Sequence, residues 1–183
     1  MANAFYAQGI DAFLAGSIAY SSDTIKVDLV SSASYTPNLS TDQYHSTVTS
    51  SGGIIAAGVA LASKTHSGGT ASAANTVWTA VTGGAAAYIV IWKDTGTDST
   101  SPLIGLIDTA TGLPVTPNGG DITAAWSSGQ IFTLKVGVKD ADRAKVQRWL
   151  NARWEQVCDW VRAPGGLVWT PQTQRIVVPA FAL

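Results

Sequence analysis

One cysteine, one glutamate and two histidines are all that this 183-residue chain contains of those residues. Cys158, being alone, excludes an intramolecular disulfide framework and a cysteine-based zinc cage. His45 and His66 leave little material for acid–base or metal chemistry, so the expectation is a protein without catalysis, metal or cofactor. No Gly-x-Ser-x-Gly elbow, phosphate-binding loop, His-Glu-x-x-His or Gly-x-Gly-x-x-Gly pattern occurs. Charge is also scarce, at 13% of residues, and the net value of −1 gives nucleic acid nothing global to be drawn to. Long apolar runs are missing as well. The longest, Ile54 to Ala62 and Gly83 to Trp92, are interrupted by glycine and fall short of the roughly 18 to 20 residues that cross a bilayer. The first cationic side chain is Lys26, so no basic leader opens the sequence. A membrane partner is therefore not expected, and the chain is expected to assemble in the cytosol into something larger.

What is present is apolar and small. Hydrophobic residues make up 46% of the chain and glycine contributes 18 positions, with alanine, serine and threonine abundant. That mixture favours short strands and tight turns over a helical bundle. A short helix is expected first, with Asn3 as its cap, Phe5, Ala12 and Phe13 on one face, and Gly16 ending it. From Asp23 the period becomes two: Ile25, Val27 and Leu29 alternate with Lys26 and Asp28, the pattern of a half-buried strand. Tyr35 to Ser51 is polar and contains Thr36-Pro37-Asn38, which reads as a long loop carrying His45 at the surface. Further strands are expected at Ile54–Thr65, Ala74–Ala80, Ala86–Lys93, Leu103–Asp108, Asp121–Trp126 and Gln130–Val138, separated by glycine, aspartate and proline clusters. Together these give a mainly β fold, an antiparallel β-sandwich or jelly roll over residues 1–138.

The chain changes character after that. Residues 1–134 carry three lysines against eight acids, net −5, whereas 135–183 carry eight cations against four acids, net +4. All five arginines and four of the seven tryptophans lie in the second stretch. Val146, Trp149, Leu150, Trp154, Val157 and Val161 follow helical spacing from Asp140, and Ala163-Pro164-Gly165-Gly166 ends that helix. An apolar extended end follows, from Ile176 to Leu183. Residues 139–183 are thus expected to be an appendage of one helix plus a tail. Trp149, Leu150, Trp154, Trp160, Trp169 and Phe181 are its candidate interface residues, because aromatic side chains beside arginine dominate protein–protein hot spots. The same residues could stack on nucleic acid, but four acids dilute the basic excess that phosphate binding wants. Cys158, between Val157 and Asp159 with no histidine or lysine adjacent, reads as a packed apolar side chain.

Three loop features complete the reading. Asp94 to Ser101 places oxygen-bearing side chains close together, which could give a calcium ion some ligands. It lacks the closing glutamate of a calcium loop, and a strand-to-strand turn with aspartates bonded to local backbone is the simpler reading. His66, beside Gly68-Gly69, reads as a surface loop histidine. Tyr44, Trp126 and Trp169 are aromatics that, if exposed, could stack on sugars.

Several segments carry a resemblance. Met1-Ala-Asn-Ala-Phe-Tyr6, Asp23-Thr-Ile-Lys-Val-Asp-Leu-Val30, the Tyr35-Thr-Pro turn, Gly58-Val-Ala-Leu-Ala-Ser-Lys-Thr65 and the run from Ala87 to Gly105 resemble a family of small virion proteins of tailed bacteriophages. The likeness covers residues 1–135, and Tyr88 to Asp108 is its most specific part. It implies a non-enzymatic structural component of the particle, with capsid decoration (cement) as the leading role and a tail, neck or baseplate position as the alternative. The implied partners are the major capsid protein or tail proteins of the same virion, and further copies of the chain. A glycan-binding surface module is a third possibility, of another class. Members of that family end near the strand at 130–136, so the role of residues 139–183 cannot be borrowed from it.

Overall fold

The computed structural model of the chain describes residues 3–134, which form one compact unit. The helix expected from Asp140, the apolar tail and the six candidate interface residues Trp149, Leu150, Trp154, Trp160, Trp169 and Phe181 lie outside the described residues.

Within the unit the fold is mainly β and antiparallel. Ten strands occur in chain order among the described residues: β1 (Ala4–Phe5), β2 (Ile25–Val30), β3 (Ile54–Ala60), β4 (Thr65–Ser67), β5 (Thr70–Ser72), β6 (Thr76–Trp78), β7 (Tyr88–Lys93), β8 (Leu103–Ile107), β9 (Ile122–Ala124) and β10 (Gln130–Thr133). Helix α1 (Ala7–Leu14) follows β1, and α2 (Ser46–Ser50) precedes β3. The strands make a five-stranded sheet of order β1-β8-β7-β2-β3, a three-stranded sheet β10-β5-β4 and a two-stranded sheet β6-β9. The sheets therefore divide five, three and two.

Strand alternation sorts the residues of the central sheet onto two faces. In the β2–β7 register Val27 faces Ile91 and Leu29 faces Ile89, and these four belong to an apolar core with Ala71 of β5, Trp78 of β6 and Ile104 of β8. Phe132 of β10 joins it through edge-on contacts with Phe5, Phe13 and Tyr20, ring centroids 5.2, 6.1 and 5.5 Å apart. The two small sheets and α1 thus cover one face. On the other face Asp28 lies opposite Val90 and Lys26 opposite Trp92. There Val90, Trp92 and Leu106 pack with Tyr6, Tyr35 and Val48, so the segment between β2 and β3 covers this side.

That coverage corrects two sequence expectations. Strand β2 is not half-buried: five of its six residues are buried, Asp28 completely. The polar stretch from Tyr35 to Ser51 is not a solvent excursion either. It lies on the sheet through Tyr35, His45 and Val48, all 5% exposed or less, and forms α2 on the way. Asn3 is not the cap of α1, whose cap position is Tyr6. Its Oδ1 instead accepts hydrogen bonds from the backbone N–H and hydroxyl of Thr109 and the N–H of Asp108, tying β1 to the end of β8. Gly16 does end the helix, at φ +70°, with Ser17 N–H donating to the Ala12 carbonyl in the closure typical of a glycine stop. Gly9 lets α1 approach β8: a Cβ there would sit 2.4 Å from the Leu103 carbonyl oxygen.

Candidate functional site

The polar face of the central sheet holds a cluster built on β2, β7, the residue before α2 and the β7–β8 turn. His45, immediately before α2, is held at its backbone by donating N–H to the Ser101 carbonyl, 2.8 Å away. Its ring points into the sheet. Nε2 lies 2.6 Å from Asp28 Oδ2, and Nδ1 lies 2.9 Å from Asp98 Oδ1. The ring lies flat on Trp92, with centroids 3.7 Å apart and planes 9° from parallel. Thr49, one turn into α2, donates its hydroxyl to Asp98 Oδ2 at 2.9 Å. Lys26 stands 5.5 Å from the Trp92 ring centre and pairs with Asp94 Oδ2 at 2.6 Å.

The electrostatics follow from this geometry. Burial alone would push the His45 pKa down, but the hydrogen bonds and charges of Asp28 and Asp98 outweigh it and hold the pKa above its ordinary value. The hydrogen bond with His45 in turn keeps the Asp98 carboxyl below its usual range, and the Lys26 hydrogen bond does the same for Asp94. Asp28 Oδ1 is buried without a hydrogen-bond partner among the described residues, as is Trp92 Nε1. One carboxylate oxygen thus goes uncompensated, so the His45 contact carries the burden of keeping Asp28 inside. With a carboxylate on each ring nitrogen, His45 has no free lone pair with which to activate a hydroxyl. The cluster is a clamp, joining the α2 segment to β2 and to the β7–β8 turn.

A second polar chain stands on the same face. Tyr35 donates its hydroxyl to Asp42 Oδ2 at 2.8 Å, so the Tyr6 hydroxyl, 2.9 Å from that of Tyr35, donates to it. Burial raises the pKa of both phenols, and both stay protonated.

The remaining candidates fall as follows. The Asp94–Ser101 segment is the turn expected, with Asp94 Oδ1 accepting from Gly96 N–H at 2.8 Å, but Asp98 also serves the clamp. No group of three His, Cys, Asp or Glu side chains among the described residues is arranged to hold a metal ion. His66 lies exposed on β4, its Nδ1 2.9 Å from the Ser21 hydroxyl. It borders an open, mostly apolar groove of about 520 Å³ that also takes in Phe13, Tyr20 and Phe132. Trp126 is partly buried against the apolar core, its Nε1 donating to Thr76 Oγ1 at 3.3 Å, so its ring is committed to packing. Tyr44 lines a second, open cavity of about 460 Å³, of mixed polar and apolar lining, beside the clamp. The sequence reading missed the Asp28–His45–Asp98 clamp. Its one visible signal was an aspartate inside the apolar strand β2.

Neither the protein-family models nor the curated proteins include a match to this chain.

Proposed function

We propose that the chain is a non-enzymatic structural component of a tailed-phage virion, a decoration protein that sits on the outside of the capsid and stabilises the shell. One observation carries the reading. The segments on which the resemblance rests are scattered in sequence but adjacent in space. Asp23 to Val30 contains β2, Gly58 to Thr65 contains the end of β3, and Ala87 to Gly105 contains β7, its turn and most of β8. Four neighbouring strands of one sheet thus carry these segments, which supports reading the resemblance as one of fold. The clamp supports the same reading, since the one buried histidine among the described residues is spent on holding a segment in place. A small, weakly charged protein with both faces of its sheet covered suits repeated contact on a symmetric shell, where each copy needs only modest affinity.

Copy number tests the proposal. Quantitative mass spectrometry of purified particles is expected to find on the order of hundreds of copies each, as icosahedral repetition dictates. Tens of copies, in multiples of three or six, would move the protein to the tail or baseplate. Absence from particles would overturn the virion reading altogether.

A further inference from the structure

We propose that the cavity beside the clamp, lined by Gln8, Asp11, Gln43 and Tyr44, is a saccharide-binding site, specific for neutral or amino sugars. The inference stands on the cavity alone and does not depend on the virion reading.

Three elements meet there. Helix α1 contributes Gln8 and Asp11, one helical turn apart and so on one face. The segment before α2 contributes Gln43 and Tyr44, and Lys93 and Thr95 come from the end of β7 and the turn after it. The volume of about 460 Å³ falls within the range of small-ligand sites. Among the described residues, the side chains of Gln8, Asp11, Gln43 and Tyr44 make no hydrogen bond or ion pair. Four polar side chains thus line one space without a partner elsewhere among the described residues, Asp11 and Gln43 of them exposed to solvent.

Their chemistry selects the ligand. Two amides and a phenol both donate and accept, and a carboxylate accepts at two oxygens. Adjacent sugar hydroxyls, each a donor and an acceptor, match such groups in pairs. Tyr44 adds an aromatic surface for the C–H face of a pyranose. Lys93 brings no free charge, because its ammonium pairs with Asp23 at 2.8 Å and donates to the Ser17 carbonyl at 2.7 Å. The unpaired charge left in the cavity is that of Asp11, which repels phosphates and acidic sugars and suits a neutral or amino sugar. A peptide is the poorer occupant, since apart from the Tyr44 ring the apolar side chains lining the space are the small Ala12, Ala15 and Pro102, which offer no pocket for a large one.

The site is also preorganised. Gln43 and Tyr44 are pinned by backbone pairing, with Leu103 N–H donating to the Gln43 carbonyl at 2.8 Å and Tyr44 bridged to Pro102. The next residue is His45, whose clamp fixes the segment to the sheet. Little ordering remains to be done when a ligand arrives.

The test is a glycan array of neutral, amino and acidic saccharides probed with the full chain, with hits then measured by titration calorimetry. At least one neutral or amino saccharide is expected to bind. Gln43→Ala is expected to weaken it about fivefold and Asp11→Asn about tenfold, the larger loss because a charged acceptor is removed. Tyr44→Ala is expected to abolish measurable binding, and His66→Ala, outside the cavity, to change nothing. Asp11 is exposed and asparagine is nearly isosteric with it, so this variant folds whatever its effect on binding. Binding to no saccharide, to acidic saccharides only, to unglycosylated peptide only, or with an affinity indifferent to all three cavity variants would overturn the inference.

Discussion

On one face of the central sheet Val27, Leu29, Ile89 and Ile91 meet Trp78, Ala71 and Ile104, a contact made of aliphatic and aromatic surface. On the other, Asp28 and Trp92 meet His45, and Tyr6 meets Tyr35, so the covering segment is held by hydrogen bonds and charge as much as by Val48. The two modes fail differently. Apolar packing loses stability in proportion to the surface and volume removed, without regard to pH. A buried ionic contact loses little until one partner goes, and then loses much, because the other is left charged in a place without water. The apolar face is therefore the one that tolerates small changes. The polar face locks a particular segment in a particular place, and that segment carries Gln43 and Tyr44, which line the cavity beside the clamp.

This contrast can be broken by substitution, and the largest effect is expected at the clamp. Asp28→Ala removes a fully buried carboxylate and leaves His45 facing Asp98 alone. A loss of about 3–5 kcal/mol is expected in the denaturant midpoint analysis. Tyr35→Phe comes next. It takes away the acceptor of the completely buried Tyr6 hydroxyl, which should cost about 1–3 kcal/mol. Ile91→Val on the apolar face trims one methylene and should cost about 0.5–1.5 kcal/mol, equally at every pH where the protein folds. The smallest effect is expected from Asp94→Ala at the partly exposed Lys26 pair, about 0.5 kcal/mol and fading with added salt. A cost for Ile91→Val as large and as pH-dependent as that of Asp28→Ala would remove the distinction between the faces.

The parts of the fold legible in the sequence are those where period and punctuation agree. The alternation from Ile25 to Leu29 gave β2, the run from Tyr88 to Lys93 gave β7, and Asp94 to Ser101 gave the turn between β7 and β8. Strand β1 has two residues and β5 three, too short for any period to register. Helix α2 reads Ser-Thr-Val-Thr-Ser, without a capping side chain and with two β-branched threonines, so its propensity points away from helix. Its place is set by Val48 packing under it and by His45 before it. Asp28 was misread for a general reason. Alternation separates polar from apolar residues but cannot say whether a polar one faces water or a partner brought from 17 residues away. The cavity was invisible likewise, since Gln8 and Gln43 are ordinary surface residues until the fold sets them side by side.

The central claim is that His45, held between Asp28 and Asp98, fastens the segment from Tyr35 to Ser50 to the sheet. Its pKa is raised in the folded protein, so its contribution to stability is fully present below the unfolded value of about 6.5 and is lost as pH rises through the folded one. Asp98 acts in the opposite direction: its lowered pKa contributes stability that disappears as pH falls through the folded value. The most direct measurement is an NMR titration of the His45 ring nitrogens in the full chain. The expected result is a midpoint above 6.5, accompanied by a fall in melting temperature as pH rises through it. A midpoint at or below 6.5 would contradict it.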